Sequence, residues 1–481
     1  MPQIRAYLTC LLVAAAAAPV ACVREGGKSR PLDSKPKAST PQIPSGLKEA
    51  YRTHLALRDR LPELVEIYLR SDDPNHRDAA WDAFIIFPLD DAPNPRAVVE
   101  KIVPILEDGT DTEAVARALL LLRMMGPSAK DAVPAIIRFI RQHHEWAFEA
   151  AAVLGYIGPE PGVIPELLWL QKVSNNPMAV TAADKALGRL KVREGIPGIA
   201  MRLRSAKAYF RVNAAEAIGL MGWAPAKVRQ ILVAAASDDS NAVRAKAVWA
   251  LGRVGDTSSP VAEALAKALS DKEEQVGLAA AEAVGDLGLC TEDIVRGLVK
   301  RSGSGSIWTT LAARQALTRV GWKRTAMLSA VLEEPQWTFS ERRLIAFALA
   351  KTSRRGANAI AAAVRPGGRG AFAAMLAMRE AEWNAEFFVS GIVRGLSAQG
   401  LEVHALETAE HLNLRDEKIV AGAIRILTDE HGGAALRAEA AETLGVIGSA
   451  SAQAKRALTQ SLQSDSAMVV DSARKALESW K

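Results

Sequence analysis

The sequence predicts an all-α fold, a solenoid of stacked helix pairs, on three observations. Similar segments return at a near-constant interval along most of the chain. No segment sustains the alternation of period two that marks a strand. The composition joins 49% hydrophobic residues to only 5% aromatic ones, as closely stacked helices with small apolar residues at their contacts require. A length of 481 residues would by itself suggest about three globular domains. An array of repeats removes that inference, because each unit contacts only its neighbours and the chain grows in one dimension. Three cysteines exclude a disulfide scaffold.

Residues 1–22, MPQIRAYLTCLLVAAAAAPVAC, follow a different logic from the repeats. Arg5 gives a positive start, Ala6 to Ala18 form an uncharged apolar run too short to span a bilayer, and small residues lead to Cys22. This is the layout of an export signal. Its end, Pro19-Val20-Ala21-Cys22, resembles a bacterial lipobox, with Pro19 where that pattern places Leu. The resemblance implies that Cys22 is the lipid-attachment residue and the first residue of the mature chain. The expected location is the cell envelope, with membrane contact only through this N-terminal anchor. Residues 23–46 are rich in Pro, Gly, Ser and Lys and nearly devoid of apolar residues, the composition of a flexible tether. The repeat body is expected over 47–481. Cys10 lies in the signal, and Cys290 at the end of a helical pattern is expected to be a small core residue.

The repeats are visible in AFEAAAVLGYIG (147–158), FRVNAAEAIGLMG (210–222), VRAKAVWALGRVG (243–255), VGLAAAEAVGDLG (276–288), TLAARQALTRVG (310–321) and LRAEAAETLGVIG (436–448). With Gly252 as marker, the equivalents are Arg123, Gly155, Gly188, Gly219, Gly285, Thr318, Ala350, Glu380, Asn413, Gly445 and Glu478. An earlier copy lies at 77–85, before a Pro-rich insertion at 91–95, which makes thirteen; those near 380 and 413 are the most degenerate. Each unit is long enough for two helices and two turns. Asp239, Asp271 and Asp465, just before the marked helices, suit N-caps. Ala245, Ala247 and Ala250 let a neighbouring helix approach. Gly222, Gly255, Gly288 and Gly448 suit left-handed C-cap positions, and Pro127, Pro159 and Pro225 open the following helix.

The pattern V-R-x-x-A-x-x-A-L-G-x-x-G at about 32 residues resembles HEAT repeats, in particular the short bilin-lyase-like subclass, over nearly all of 47–481. That resemblance implies a right-handed superhelix of about thirteen helix pairs, with a concave surface lined by the second helix of each pair. It also implies a binding scaffold with a protein partner, although some related proteins are enzymes. Deoxyhypusine hydroxylase resembles this family and holds two irons with paired His-Glu dipeptides. Here only His144-Glu145 occurs, so no metal site and no cofactor is expected. His143 and His144 are adjacent on the chain and are expected to be surface residues. A cytosolic lyase or a HEAT-like DNA-binding role conflicts with an export signal, so nucleic acid is not the expected partner.

Nucleophile motifs are missing: there is no G-x-S-x-G, and Ser45-Gly46-Leu47-Lys48 stands without the companion motifs of an S-x-x-K enzyme. The Gly-rich stretches 302–306 and 366–370 follow no strand, which excludes a phosphate cradle and leaves inter-helix loops. No catalytic residue is therefore assigned.

Charge supplies the one candidate surface. Residues 294–379 hold 15 Lys and Arg against Glu333, Glu334 and Glu341, a net +12, while 51–293 and 380–481 each sum to −5. The candidate anion- or partner-binding residues are Arg314, Arg319, Arg324, Arg342, Arg343, Arg354, Arg355, Arg365 and Arg369. Arginine suits bidentate contact with an acidic protein, an anionic glycan or a lipid headgroup. Trp308, Trp322 and Trp337 fall in the same segment and are expected mainly in the core.

Overall fold

The structure, a computed structural model, describes residues 58–480 other than 305, 322, 323 and 382–384. The signal, the tether with Cys22, Ser45 to Lys48, and Trp322 lie outside the described residues. The described chain is an α-solenoid with no strand. Its helix pairs run α1–α2 (Leu61–Arg70, Pro74–Ile86), α3–α4 (Pro95–Asp108, Thr112–Met125), α5–α6 (Val133–Gln142, Ala147–Ile157) and α7–α8 (Val163–Val173, Pro177–Arg189). Then come α9–α10 (Ile196–Arg202, Ala208–Met221), α11–α12 (Ala226–Ala235, Asn241–Val254), α13–α14 (Ser259–Leu269, Glu274–Leu287) and α15–α16 (Glu292–Ser304, Ile307–Gly321). The remainder are α17–α18 (Thr325–Glu333, Phe339–Thr352), α19–α20 (Arg354–Ala363, Ala371–Arg379), α21–α22 (Val389–Gly395, Glu402–His411), α23–α24 (Glu417–Thr428, Ala434–Ile447) and α25–α26 (Ala452–Ser461, Ala467–Glu478). Every sequence copy falls on one pair, with the marker in the last turn of the even-numbered helix except for Glu380 and Asn413, which follow the ends of α20 and α22.

The marker glycines set the spacing of the stack. A Cβ on Gly155 would stand 2.6 Å from the Ala186 Cβ of the next even helix, and one on Gly252 would stand 2.7 Å from Ala283 Cβ. At Gly188 it would overlap the Ala217 carbonyl, and at Gly219 the Trp249 ring. The even helices thus approach on glycine and alanine. The odd helices bury larger side chains, such as Leu232, Leu265, Leu298, Leu328 and Ile360. We call the layer of even helices, which approach one another on these residues, the inner layer.

The trailing glycines behave as expected at Gly222, Gly255 and Gly288, whose φ values are 69°, 79° and 64°. Gly448 does not, with φ −97°. Lys191 (φ 58°) and Asn413 (φ 49°) adopt the same turn without glycine. Their hydrogen bonds match: Lys191 N–H donates to Gly188 O and Val192 N–H to Leu187 O, as Asn413 N–H does to Glu410 O and Leu414 N–H to Ala409 O. Glu410, not Asn413, is therefore the equivalent of Gly188, a three-residue correction to the repeat register.

None of the expected acids, Asp239, Asp271 and Asp465, caps its helix. α12, α14 and α26 begin at Ser240, Glu273 and Ser466 with no side-chain cap. Asp271 instead accepts paired bonds from Arg244 (2.7 and 3.0 Å) of the preceding even helix, and Asp238, the neighbour of Asp239, does the same with Arg211 (2.7 and 2.7 Å). Arg244 also donates to Asp238 O and Asp239 O, so one guanidinium ties two successive turns together. Burial pushes the Asp271 carboxyl up; the Arg244 bonds and the Glu273 N–H more than offset this and hold it below the usual range. Residues 302–304, expected in a loop, continue α15. Cys290 is half-buried against the core, and His143 stacks on Phe139 at 4.7 Å.

One polar cluster interrupts the apolar core. The hydrophobic cluster from Leu61 ends at Val192 and a second begins at Ile196. Between them, Asp184 of α8, fully buried, takes a bidentate contact from Arg202 of α9 and a 2.8 Å bond from Gln171 of α7. Burial pushes the Asp184 carboxyl up, against the pull of Arg202 and Gln171.

Candidate partner-binding surface

The inner face repeats one construction, in which a residue of each even helix reaches its counterpart on the next. Tyr156 Oη accepts from Arg123 (3.3 Å) and Arg189 (3.2 Å), and both guanidiniums stand over its ring. Glu216 lies between Lys185 and Lys246, 3.4 Å from each. Lys246 in turn approaches the Trp249 ring, 5.3 Å from its centroid. Trp249 lies flat on α10 because Gly219 has no Cβ.

Beyond Trp249 the face opens into a groove of about 300 Å³ across α12, α14 and α16. Its floor is Gly252, Ala283, Gly285 and Ala316, and its walls include Trp249, Arg253, Glu282, Gln315 and the Asp286–Arg319 pair at 3.0 Å. Arg253, Glu282 and Gln315 are exposed and bond to no described side chain. The groove therefore exists because the marker residues are glycine, and it presents unspent cationic, anionic and amide groups beside an indole. Sequence reasoning missed it. The motif contains Trp249 and Arg253, but nothing in one repeat announces that the next supplies Glu282 and the one after it Gln315.

Further along, Phe339, Phe372 and His404 form a ladder at 5.0 and 4.5 Å over α18, α20 and α22. Beside it run ion pairs: Glu380 with Arg314 (3.7 Å) and Arg343, and Glu407 with Arg379 (2.7 Å). The face then turns acidic. Burial, with Glu442, Glu407 and Glu410 nearby, pushes the Glu439 carboxyl up, opposed by Arg379.

The nine candidate arginines do not form one patch. Antiparallel pairing puts the C-termini of even helices and the N-termini of odd helices on one edge of the stack, and the odd-to-even turns on the other. Arg319, Arg324, Arg354 and Arg355 belong to the first edge; Arg342, Arg343, Arg365 and Arg369 belong to the second, with Arg314 between. Arg342 is a turn anchor, donating to the Leu332 (3.2 Å), Glu334 (2.6 Å) and Trp337 carbonyls. It occupies the position of Arg244, eight residues before the marker, and is committed to the fold. Arg343 and Arg314 share Glu380, and Arg365 pairs with Glu333 at 3.5 Å. Arg354 lies over the Phe387 ring at 4.9 Å. Arg324, Arg355 and Arg369 are exposed, with no ion pair to a described residue. Trp337 is core, 9% exposed, its Nε1–H donating to Glu334. Trp308 is not: it is 72% exposed. Among the described residues no three His, Cys, Asp or Glu stand together as a metal-binding group, and no helix is long and apolar enough to cross a membrane.

Residues 196–285, which span α9 to α14, match the family model of HEAT repeats. The match to HEAT repeats is thus confined to six helices of the stack. No curated protein matches it. Among solved structures, the solenoid is similar to the karyopherin Kap121p bound to the SUMO protease Ulp1p, at 13% identity and TM-score 0.53, covering 92% of this chain and 53% of that one. A Kap121p mutant aligns at 13% identity and TM-score 0.51, over 90% and 53% of the two chains. The chain thus spans about half the length of that karyopherin, and at this identity the likeness is one of fold alone. Human deoxyhypusine hydroxylase also aligns, at 19% identity over 61% of this chain and 98% of that one, with a TM-score of only 0.23.

Proposed function

We propose that this HEAT solenoid is an exported scaffold, tethered to a membrane through Cys22, that binds a protein partner on its inner face. The observation that carries the reading is the groove across α12, α14 and α16, where Arg253, Glu282 and Gln315 stand unpaired beside Trp249. Such a mixture suits side chains of a protein: an indole for apolar contact, and separated charges of both signs for orientation. Kap121p, a similar solenoid, binds a protein in its complex with Ulp1p, which supports the same use of the fold here. The finer resemblance to the bilin-lyase-like subclass belongs to this proposal too, with no lyase chemistry attached.

The test is photocrosslinking in the cell of origin. A photoreactive residue replaces Glu282 or Gln315 on the inner face, or Gln230 or Lys267 on exposed positions of odd helices. The reading expects a discrete protein adduct from the inner pair only. Equal adducts from both faces, or none from the inner pair, would overturn it. The tether is checked in the same cells by palmitate labelling, which Cys22→Ala should abolish.

A further inference from the structure

The inner surface of α16 changes character along its length. At its N-terminus Ile307 and Trp308 are 83% and 72% exposed, and Leu311 follows at 44%. At its C-terminus stands Arg319. α18 repeats the order, with Phe339 44% exposed at its first residue and Lys351 near its last. Even helices run parallel, so the apolar ends stand together on one edge and the cationic ends on the other. There the N-termini of α17 and α19 add Arg324, Arg354 and Arg355.

The first turn of α16 is held in place. Glu274 of α14 accepts from Ser306 N–H at 3.0 Å and from Thr309 Oγ1 at 2.9 Å. Those bonds hold the Glu274 carboxyl below the usual range, and they fix the turn from which Trp308 projects. The exposure of Trp308 is therefore built in rather than a result of fraying.

Asp286 takes Arg319 at 3.0 Å, but the local acids leave Arg324, Arg354 and Arg355 without a carboxylate partner among the described residues. Glu333 accepts from Arg369 N–H and pairs with Arg365, Glu334 pairs with Arg296, and Glu341 closes the capping box of α18 with Thr338. All three are spent at the opposite edge or inside turns. Trp308 and Arg319 are eleven residues apart on one helix, about 17 Å at 1.5 Å per residue. About five residues of extended chain cover that distance.

We propose that α16 to α19 form a two-point docking surface for an acidic segment of a protein partner. A bulky apolar side chain of that segment rests on Trp308, Leu311 and Phe339, and carboxylates more than about five residues away meet Arg324, Arg354 and Arg355. This rests on the scaffold reading above and names the chemistry of the partner. A bilayer does not fit this arrangement. It would need apolar groups in front of the cations along one direction, whereas here they lie on opposite edges with the Glu380 ion pairs between them.

The test uses the whole purified chain and a fluorescein-labelled peptide, Trp-Leu-Gly-Ser-Gly-Ser-Asp-Glu-Asp-Glu, read by fluorescence anisotropy. Two control peptides replace either the Trp-Leu pair by Ser-Ser or the four acids by their amides. The proposal expects each control to bind at least about tenfold more weakly than the parent. It expects Trp308→Ser to remove the advantage of the apolar end only, and the pair Arg354→Ser with Arg355→Ser that of the acidic end only. All three positions are at the surface, and an unchanged thermal melt verifies that the variants fold. The proposal is overturned if the parent binds no better than its acid-only control, if either set of variants leaves affinity unchanged, or if phosphatidylglycerol vesicles bind through the same residues and displace the peptide. Crosslinks at 282 and 315 that persist while the peptide fails would remove this surface and leave the scaffold standing.

Discussion

Arg202→Ala is expected to destabilise the solenoid by about 3–5 kcal/mol, because it leaves the Asp184 carboxylate buried without its partner. The cost has a characteristic pH dependence. Burial already raises the Asp184 carboxyl, and without Arg202 nothing but Gln171 opposes that rise. A folded-state pKa above the unfolded one favours folding as pH falls, so the deficit should be largest near neutrality and shrink on acidification. The location matters as much as the size. Asp184 and Arg202 sit where the apolar cluster ending at Val192 gives way to the one beginning at Ile196. Urea unfolding of the variant should therefore separate into two steps, one for each side of that junction. A single transition with the wild-type midpoint would show that the pair is dispensable.

Gly188→Val is the second large effect, about 3 kcal/mol or more. A Cβ there overlaps the Ala217 carbonyl, so the conflict is with backbone and no side-chain rotation relieves it. Gly285 occupies the same position of its repeat, yet a Cβ would meet Ala316 at an ordinary 3.4 Å. Gly285→Ala should accordingly be neutral or slightly stabilising, since alanine favours helix over glycine by about 1 kcal/mol. Chemical denaturation of the two variants side by side checks both. Equal losses would mean that the marker glycine serves the turn and not the contact between helices.

The repeats were legible because their signal is periodic, and periodicity survives the loss of any one residue. The stacked pairs, their order and the close approach on alanine all follow from it. Other features escaped because they depend on what a neighbouring repeat contributes. Asp271 stands where a cap would stand, and only the position of Arg244 reveals it as an ion-pair partner. The register slipped near Asn413 because asparagine supplies the left-handed turn that glycine supplies elsewhere. The nine arginines share a stretch of sequence but lie on two edges, since each turn of the chain reverses its direction. Asp184 did carry a readable sign: it lies on the face of α8 that holds Val180 and Leu187. A carboxylate on that face needs a buried partner, and Arg202 in the next helix supplies it.

The central claim is that the even-helix face of the solenoid is its working surface. Hydrogen exchange by mass spectrometry, on the chain alone and on the complex with its crosslinked partner, tests this most directly. The account predicts slowed exchange in α12, α14, α16 and α18, with the odd helices between them unchanged. Protection confined to the odd helices would contradict it.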